Sequence, residues 1–102
     1  MGVKNVETRI VEYVAALDEL RAAYWEKAGF RGDAEPVTIE YGRKYAKIVA
    51  GGSVHTFINM ENGDILKAAS YKAPAPNGVR GNIFAEDLGI SVVGPYGALY
   101  LR

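Results

Sequence analysis

The chain predicts an α+β fold, in which a long N-terminal helix packs on a curved antiparallel β-meander with two short C-terminal strands. Three observations carry this expectation. Apolar residues recur at alternating spacings of three and four from Val3 to Ala28, which is the signature of a helix with one apolar stripe. After the segment GFRGDAEP at 29–36 the period drops to two, as it does in a half-buried strand. Glycines at 42, 51, 52 and 63 then cut that region into strand-length pieces, so sequential strands are expected to pair as neighbours.

The helix is taken first. Val3, Val6, Ile10, Tyr13, Leu17, Leu20 and Tyr24 form its stripe, and Val14 widens it enough to cover a sheet. Asn5 is a suitable N-cap, and Gly29 stands where a left-handed C-cap is expected. The same regular seam would also serve a partner helix, so an intramolecular core and a dimer helix are both compatible with it. Residues 29–36 read as a loop from their Gly, Asp and Pro content. Their Arg31-Gly32-Asp33 tripeptide is a chance occurrence in a cysteine-free chain with no signal segment.

Four strands follow: Val37 to Tyr41, Lys44 to Ala50, Ser53 to Met60 and Asp64 to Tyr71. Lys72 to Gly81 reads as a loop from its two prolines and two glycines. Asn82 to Leu88 suits a short helical turn. Ile90 to Val93 and Ala98 to Leu101 suit short strands around Gly94-Pro95-Tyr96-Gly97. The whole of 1–102 is read as one domain, a common domain length.

Side chains alternate across a strand, so each strand offers two sets. In the third strand Val54, Thr56, Ile58 and Met60 form the core set, and Ser53, His55, Phe57 and Asn59 the other. A three-residue loop with a bulge at Gly63 would set Leu66 beside Ile58 and Lys67 beside Phe57, whereas a strict two-residue turn would pair Lys67 with Ile58. Likewise, Tyr45 and Lys47 share a face with Phe57 only if Gly51-Gly52 forms a bulge or a longer loop. At Gly63 the two registers stay open; at Gly51-Gly52 we expect the bulged form, because it leaves one face apolar and the other basic and aromatic.

Charge supports that division. Twelve basic and twelve acidic residues cancel, which argues against a protein gripping duplex DNA over its whole surface. The balance is local: residues 1–42 hold five basic and eight acidic residues, 43–80 six and two, and 81–102 one and two. The basic middle segment carries Arg43, Lys44, Lys47, Lys67, Lys72 and Arg80, interleaved with Tyr45, His55, Phe57 and Tyr71. Basic groups attract phosphates and aromatic faces stack bases, the combination that a single-stranded nucleic acid surface needs. The nucleic-acid-binding set expected on this basis is Arg43, Tyr45, Lys47, His55, Phe57, Lys67, Tyr71, Lys72 and Arg80. The same pattern also fits solvated lysines beside core aromatics, with Phe57 and Tyr71 packed under the C-terminal strands or against a second subunit, and His55 as a hydrogen-bonded sheet residue.

Other classes fare worse. With no cysteine and one histidine, thiol chemistry is excluded and clustered metal ligation nearly so. Glu61 and Asp64 sit at a turn, where turn formation explains them better than a metal nuclease does. The expectation is therefore a non-catalytic protein with no cofactor and no metal. No apolar run approaches the roughly twenty residues of a membrane span, and MGVKNVETRI lacks the apolar core of a signal peptide. A cytoplasmic protein without a membrane partner is expected.

The segments KYAKIV at 44–49, SVHTFINMENGDILKAASYKAPA at 53–75, VRGNIF at 79–84 and YGALYLR at 96–102 resemble small, mostly uncharacterised proteins of tailed bacteriophages. The resemblance spans about the last sixty residues and implies the cytoplasm of a bacterial host cell. In layout the chain is also similar to the Whirly and positive-cofactor type of single-strand DNA-binding domain, a curved meander that meets a helix and dimerises. It departs from that class in placing the long helix before the strands. The combined expectation is a phage single-stranded DNA-binding protein acting as a homodimer. The alternative is a protein-interaction module that binds a host protein or serves as a small structural or assembly subunit, with the acidic helix and the Tyr24-Trp25 pair as its contact.

Overall fold

A computed structural model describes residues 5–29, 32, 34–95 and 97–98. Helix α1 runs Val6–Ala28. Asn5 caps it by accepting the Thr8 amide at 2.8 Å, and Gly29, at φ 76°, ends it by donating to Glu26 O at 3.2 Å. Both caps are those the sequence predicts. The expected start at Val3 lies outside the described residues.

Strands β1 (Thr38–Tyr41), β2 (Tyr45–Ala50), β3 (Ser53–Asn59), β4 (Asp64–Ala68) and β5 (Pro74–Asn82) form one antiparallel sheet in sequence order. A 3-10 turn at Ile90–Val92 leads to a two-residue hairpin of β6 (Val93–Gly94) and β7 (Gly97–Ala98). The fold is α+β.

Ile10, Tyr13 and Leu17 of α1 are fully buried, as are Ala46, Ile48, Ile58 and Ile65 of the sheet. The register sets Ala46 beside Ile58 and Ile58 beside Ile65, so one sheet face is a continuous apolar row under the helix. The helix seam thus belongs to the intramolecular core. Arg21, also buried, ties α1 to the adjoining loops by donating from Nε to Pro95 O and from Nη1 to Glu35 O.

Several expectations are corrected. Gly51 and Gly52, at φ 62° and 79°, make a tight two-residue turn between the paired Ala50 and Ser53, a left-handed pair that glycine adopts without a Cβ clash. The irregularity expected there falls inside the strands: Val49 pairs with Val54 but Ile48 with Thr56, which leaves His55 as the extra residue. That bulge restores the Lys47–Phe57 pairing while turning His55 inward. At the next turn four residues, Met60 to Gly63, separate the strands, and the pairs are Phe57–Leu66 and Ile58–Ile65. Neither expected register holds there. Leu66 rather than Lys67 therefore joins the Phe57 face.

Residues expected to be a loop at 72–81 are mostly β5, an edge strand. Pro74 and Pro76 are tolerated because an edge leaves donors unneeded, and two register shifts against β4 absorb the glycines. The fourth strand stops at Ala68, and Ala69 and Ser70 donate to Ala73 O in a turn that carries Tyr71. Residues 82–88 make successive tight turns instead of a helix, through Ala85 N to Asn82 O and Leu88 N to Ala85 O. Ile90–Val92 is a 3-10 turn where a strand was expected. Most of the strand expected at Ala98 to Leu101 lies outside the described residues.

Candidate nucleic-acid interface

The sheet face turned away from α1 carries the row Glu40, Lys47, Phe57, Leu66 and Val79, each paired with the next across adjacent strands. Its β1–β2 end opens into a pocket of about 300 Å³ lined by Glu40, Tyr41, Gly42, Arg43, Lys44, Tyr45, Lys47, Phe57 and Lys72. Four of those side chains are basic and one is acidic. The tight β1–β2 connection explains the concentration of charge: Gly42 N donates to Tyr45 O at 3.0 Å, so Arg43 and Lys44 project from the turn between two strand ends.

Phe57 is the floor. It is only 3% exposed, with the Tyr45 ring packed edge-on at a centroid distance of 6.1 Å. A buried ring cannot stack on a base, which corrects the stacking role expected of Phe57. Tyr41 and Tyr71 are about half exposed, and Tyr45 is partly so. Lys44 Nζ lies 5.4 Å from the Tyr45 ring centre and Lys47 Nζ 4.1 Å from that of Tyr71, both within cation–π range.

Tyr71 reaches this end of the sheet from the β4–β5 turn. Its hydroxyl donates to Glu40 Oε2 at 3.2 Å, and Glu40 Oε1 stands 3.8 Å from Lys47 Nζ. The Glu40 charge, reinforced by that hydrogen bond, raises the Tyr71 hydroxyl pKa above its ordinary value. Tyr71 thus touches two residues that line the pocket, Glu40 and Lys47.

Of the residues expected to bind, Arg43, Tyr45, Lys47, Phe57 and Lys72 line one pocket, and Tyr71 contacts Lys47 at its border. His55, Lys67 and Arg80 do not. His55 is 2% exposed on the helix side. A carbonyl oxygen only accepts, so His55 donates from Nε2 to Gly94 O at 2.7 Å, and its Nδ1, 3.1 Å from Thr56 Oγ1, accepts. With the imidazole neutral, Thr56 Oγ1 in turn accepts from Tyr13 OH at 2.9 Å. Burial, with Arg21 adding a smaller push, holds the His55 pKa below its ordinary value against the opposing Gly94 hydrogen bond.

Lys67 alternates to the other face from Leu66. Arg80 occupies the β5 irregularity between Val79 and Gly81, three strands from β2. Conversely, Tyr41, Lys44 and Glu40 line the pocket without having been in the expected set. The adjacent Gly42-Arg43-Lys44 run was the available signal for Lys44. Tyr41 had none, since alternation assigns it to the helix side with Ala46 and only its place at the strand end frees it.

Residues 3–94 match the model of a family of unknown function, DUF7717. The chain belongs to this family. No curated protein and no solved structure matches it. Among the described residues, no group of three or more His, Asp or Glu side chains could hold a metal ion, and no helix is long and apolar enough to cross a membrane.

Proposed function

We infer that the protein is a non-catalytic binder of single-stranded nucleic acid, DNA in the first instance, through the pocket at the β1–β2 end of the sheet. The observation that carries this reading is the gathering of Arg43, Lys44, Lys47 and Lys72 with Tyr41 and Tyr45 in one pocket at the β1–β2 end of the sheet. Cationic groups at that density suit consecutive phosphates, and the tyrosine faces suit unstacked bases. A duplex keeps its bases stacked and offers the tyrosines nothing. Near-zero net charge confines the attraction to this patch. The resemblance to small tailed-phage proteins supports a setting in the cytoplasm of an infected bacterium.

The test is fluorescence anisotropy of labelled oligothymidylate and of duplex DNA across a salt series. Tighter, salt-sensitive binding of the single strand is expected, with Arg43→Ala and Lys72→Ala each weakening it and each lowering the salt slope by about one. Absence of binding at low salt overturns the reading, and so does indifference to both substitutions.

A second reading, a protein-binding module, draws on a larger groove of about 570 Å³ beside Trp25, lined also by Asp18, Ala22, Glu26, Ala34 and Pro36. Trp25 is the single tryptophan, so a partner docking there would shift the intrinsic fluorescence, whereas oligonucleotide binding at the β1–β2 end would leave it unchanged.

A further inference from the structure

The two edges of the five-stranded sheet are unlike. β5 is irregular, with two register shifts and prolines at 74 and 76, the devices that keep an edge from pairing. β1 has none of them. Its four residues pair with β2 in unbroken register, from Thr38 opposite Val49 to Tyr41 opposite Ala46. Because Gly42 N points to β2, alternation sends the amides and carbonyls of Glu40 and Thr38 to β2 as well, and those of Ile39 and Tyr41 outward. Val37 N also points outward, and there Asp18 Oδ1 accepts it at 2.9 Å. Among the described residues nothing comparable covers Ile39 or Tyr41.

We propose that β1 is a self-pairing edge, joining two copies of this chain antiparallel about a two-fold axis at Glu40. In that register Ile39 exchanges hydrogen bonds with the partner's Tyr41, and Tyr41 with the partner's Ile39. All four outward amides are satisfied and no existing bond is displaced. An axis at Ile39 is excluded, because the Tyr41 carbonyl would meet the position that Asp18 already holds on the Val37 amide.

Charge follows the same register. Arg43, at the end of the hairpin, comes opposite Val37 of the partner subunit, where the partner's Asp18 makes its cap. This happens at both ends. At the centre Glu40 faces the partner's Glu40, and each carboxylate already has Lys47 at 3.8 Å and the Tyr71 hydroxyl at 3.2 Å. Two opposite-charge contacts thus flank one like-charge contact, so the pairing is favourable but weak.

The pairing of outward residues with outward residues keeps equivalent faces together. Both helices then lie on one side of a ten-stranded sheet and both basic pockets on the other, adjacent because Glu40 and Tyr41 line the pocket at this very edge. On the nucleic-acid reading above, the dimer doubles the length of strand bound.

The experiment uses no nucleic acid, so it stands apart from that reading. The chain has no cysteine, which makes single-cysteine variants clean reporters. Glu40→Cys sits at a non-hydrogen-bonded pair with Cα atoms about 4.5 Å apart, inside disulfide range, and is expected to cross-link into a dimer on mild oxidation. Thr38→Cys, about 13 Å from its own copy in this register, is expected not to. Adding Tyr41→Pro, which removes an outward amide while sparing the β1–β2 bonds, is expected to abolish the Glu40→Cys cross-link with circular dichroism unchanged. In sedimentation, Glu40→Gln is expected to tighten the dimer about two- to fivefold by removing the like-charge contact. Equal cross-linking of Glu40→Cys and Thr38→Cys, or a strict monomer for both wild type and Glu40→Gln at high concentration, overturns the proposal.

Discussion

The two faces of the sheet are built from the same strands and do different things. Towards α1, Ala46, Ile48, Ile58 and Ile65 are fully buried, and the polar groups among them, Tyr13, Thr56 and His55, form a line of hydrogen bonds that ends on Gly94 O. Away from α1, Phe57 and Leu66 are buried, but Tyr45, Lys47 and Glu40 around them are partly exposed and meet through charge and ring contacts. Burial makes the first face costly to alter, since each lost contact leaves a void or an unpaired polar atom. Water and salt screen the second. The fully buried side chains thus lie mainly on the helix face, and the charged ones on the other.

Substitution tests that division most severely in the core. Ile58→Ala should cost about 2 to 5 kcal/mol and lower the melting temperature by roughly 10 °C or more; a loss below 1 kcal/mol would mean the helix side is not the stabilising face. Tyr13→Phe removes one hydroxyl from the buried chain, for about 1 kcal/mol, and chemical denaturation of this variant beside Thr56→Val would show whether the two losses are shared.

The pH dependence isolates the same network through the single histidine. His55 titrates lower in the folded chain than in the unfolded one, so the unfolded state binds the proton first. Its contribution is complete above about pH 6.5 and declines as pH falls from there through the folded value. Melting temperature should drop between pH 7 and 5.5, and His55→Gln should flatten that slope. The smallest effect is expected on the outer face. Arg43→Ala should leave stability within about 0.5 kcal/mol, because Arg43 is exposed and exposed charges contribute little, while reducing the salt slope expected for single-strand binding by about one. Unfolding by Arg43→Ala would break the comparison.

The helix and its caps were legible because they depend on local signals: a repeating apolar stripe, an Asn and a Gly at its ends. The pairing of Lys47 with Phe57 was anticipated, but by the wrong device. A bulge in the turn and a bulge at His55 give the same register beyond them, and only the second turns His55 inward. Alternation assigns His55 to the Phe57 face as long as the strand is regular, and nothing local in Val54-His55-Thr56 marks the interruption. β5 was hidden for a related reason. Proline and glycine disfavour a strand only where every amide must pair, and an edge suspends that requirement.

By itself the sequence determined what is set within a few residues: the α+β class, the long capped helix, most strand positions and the basic, aromatic character of the middle segment. Tertiary structure decided what depends on register and on which elements meet. It buried Phe57 beneath Tyr45, drew Tyr71 from a neighbouring turn onto Glu40 and Lys47, removed His55, Lys67 and Arg80 from the pocket, and left β1 as the regular open edge. A one-residue slip reverses every side chain of a strand, and slips are resolved by how well the helix and sheet pack together, a quantity that no short stretch of chain contains.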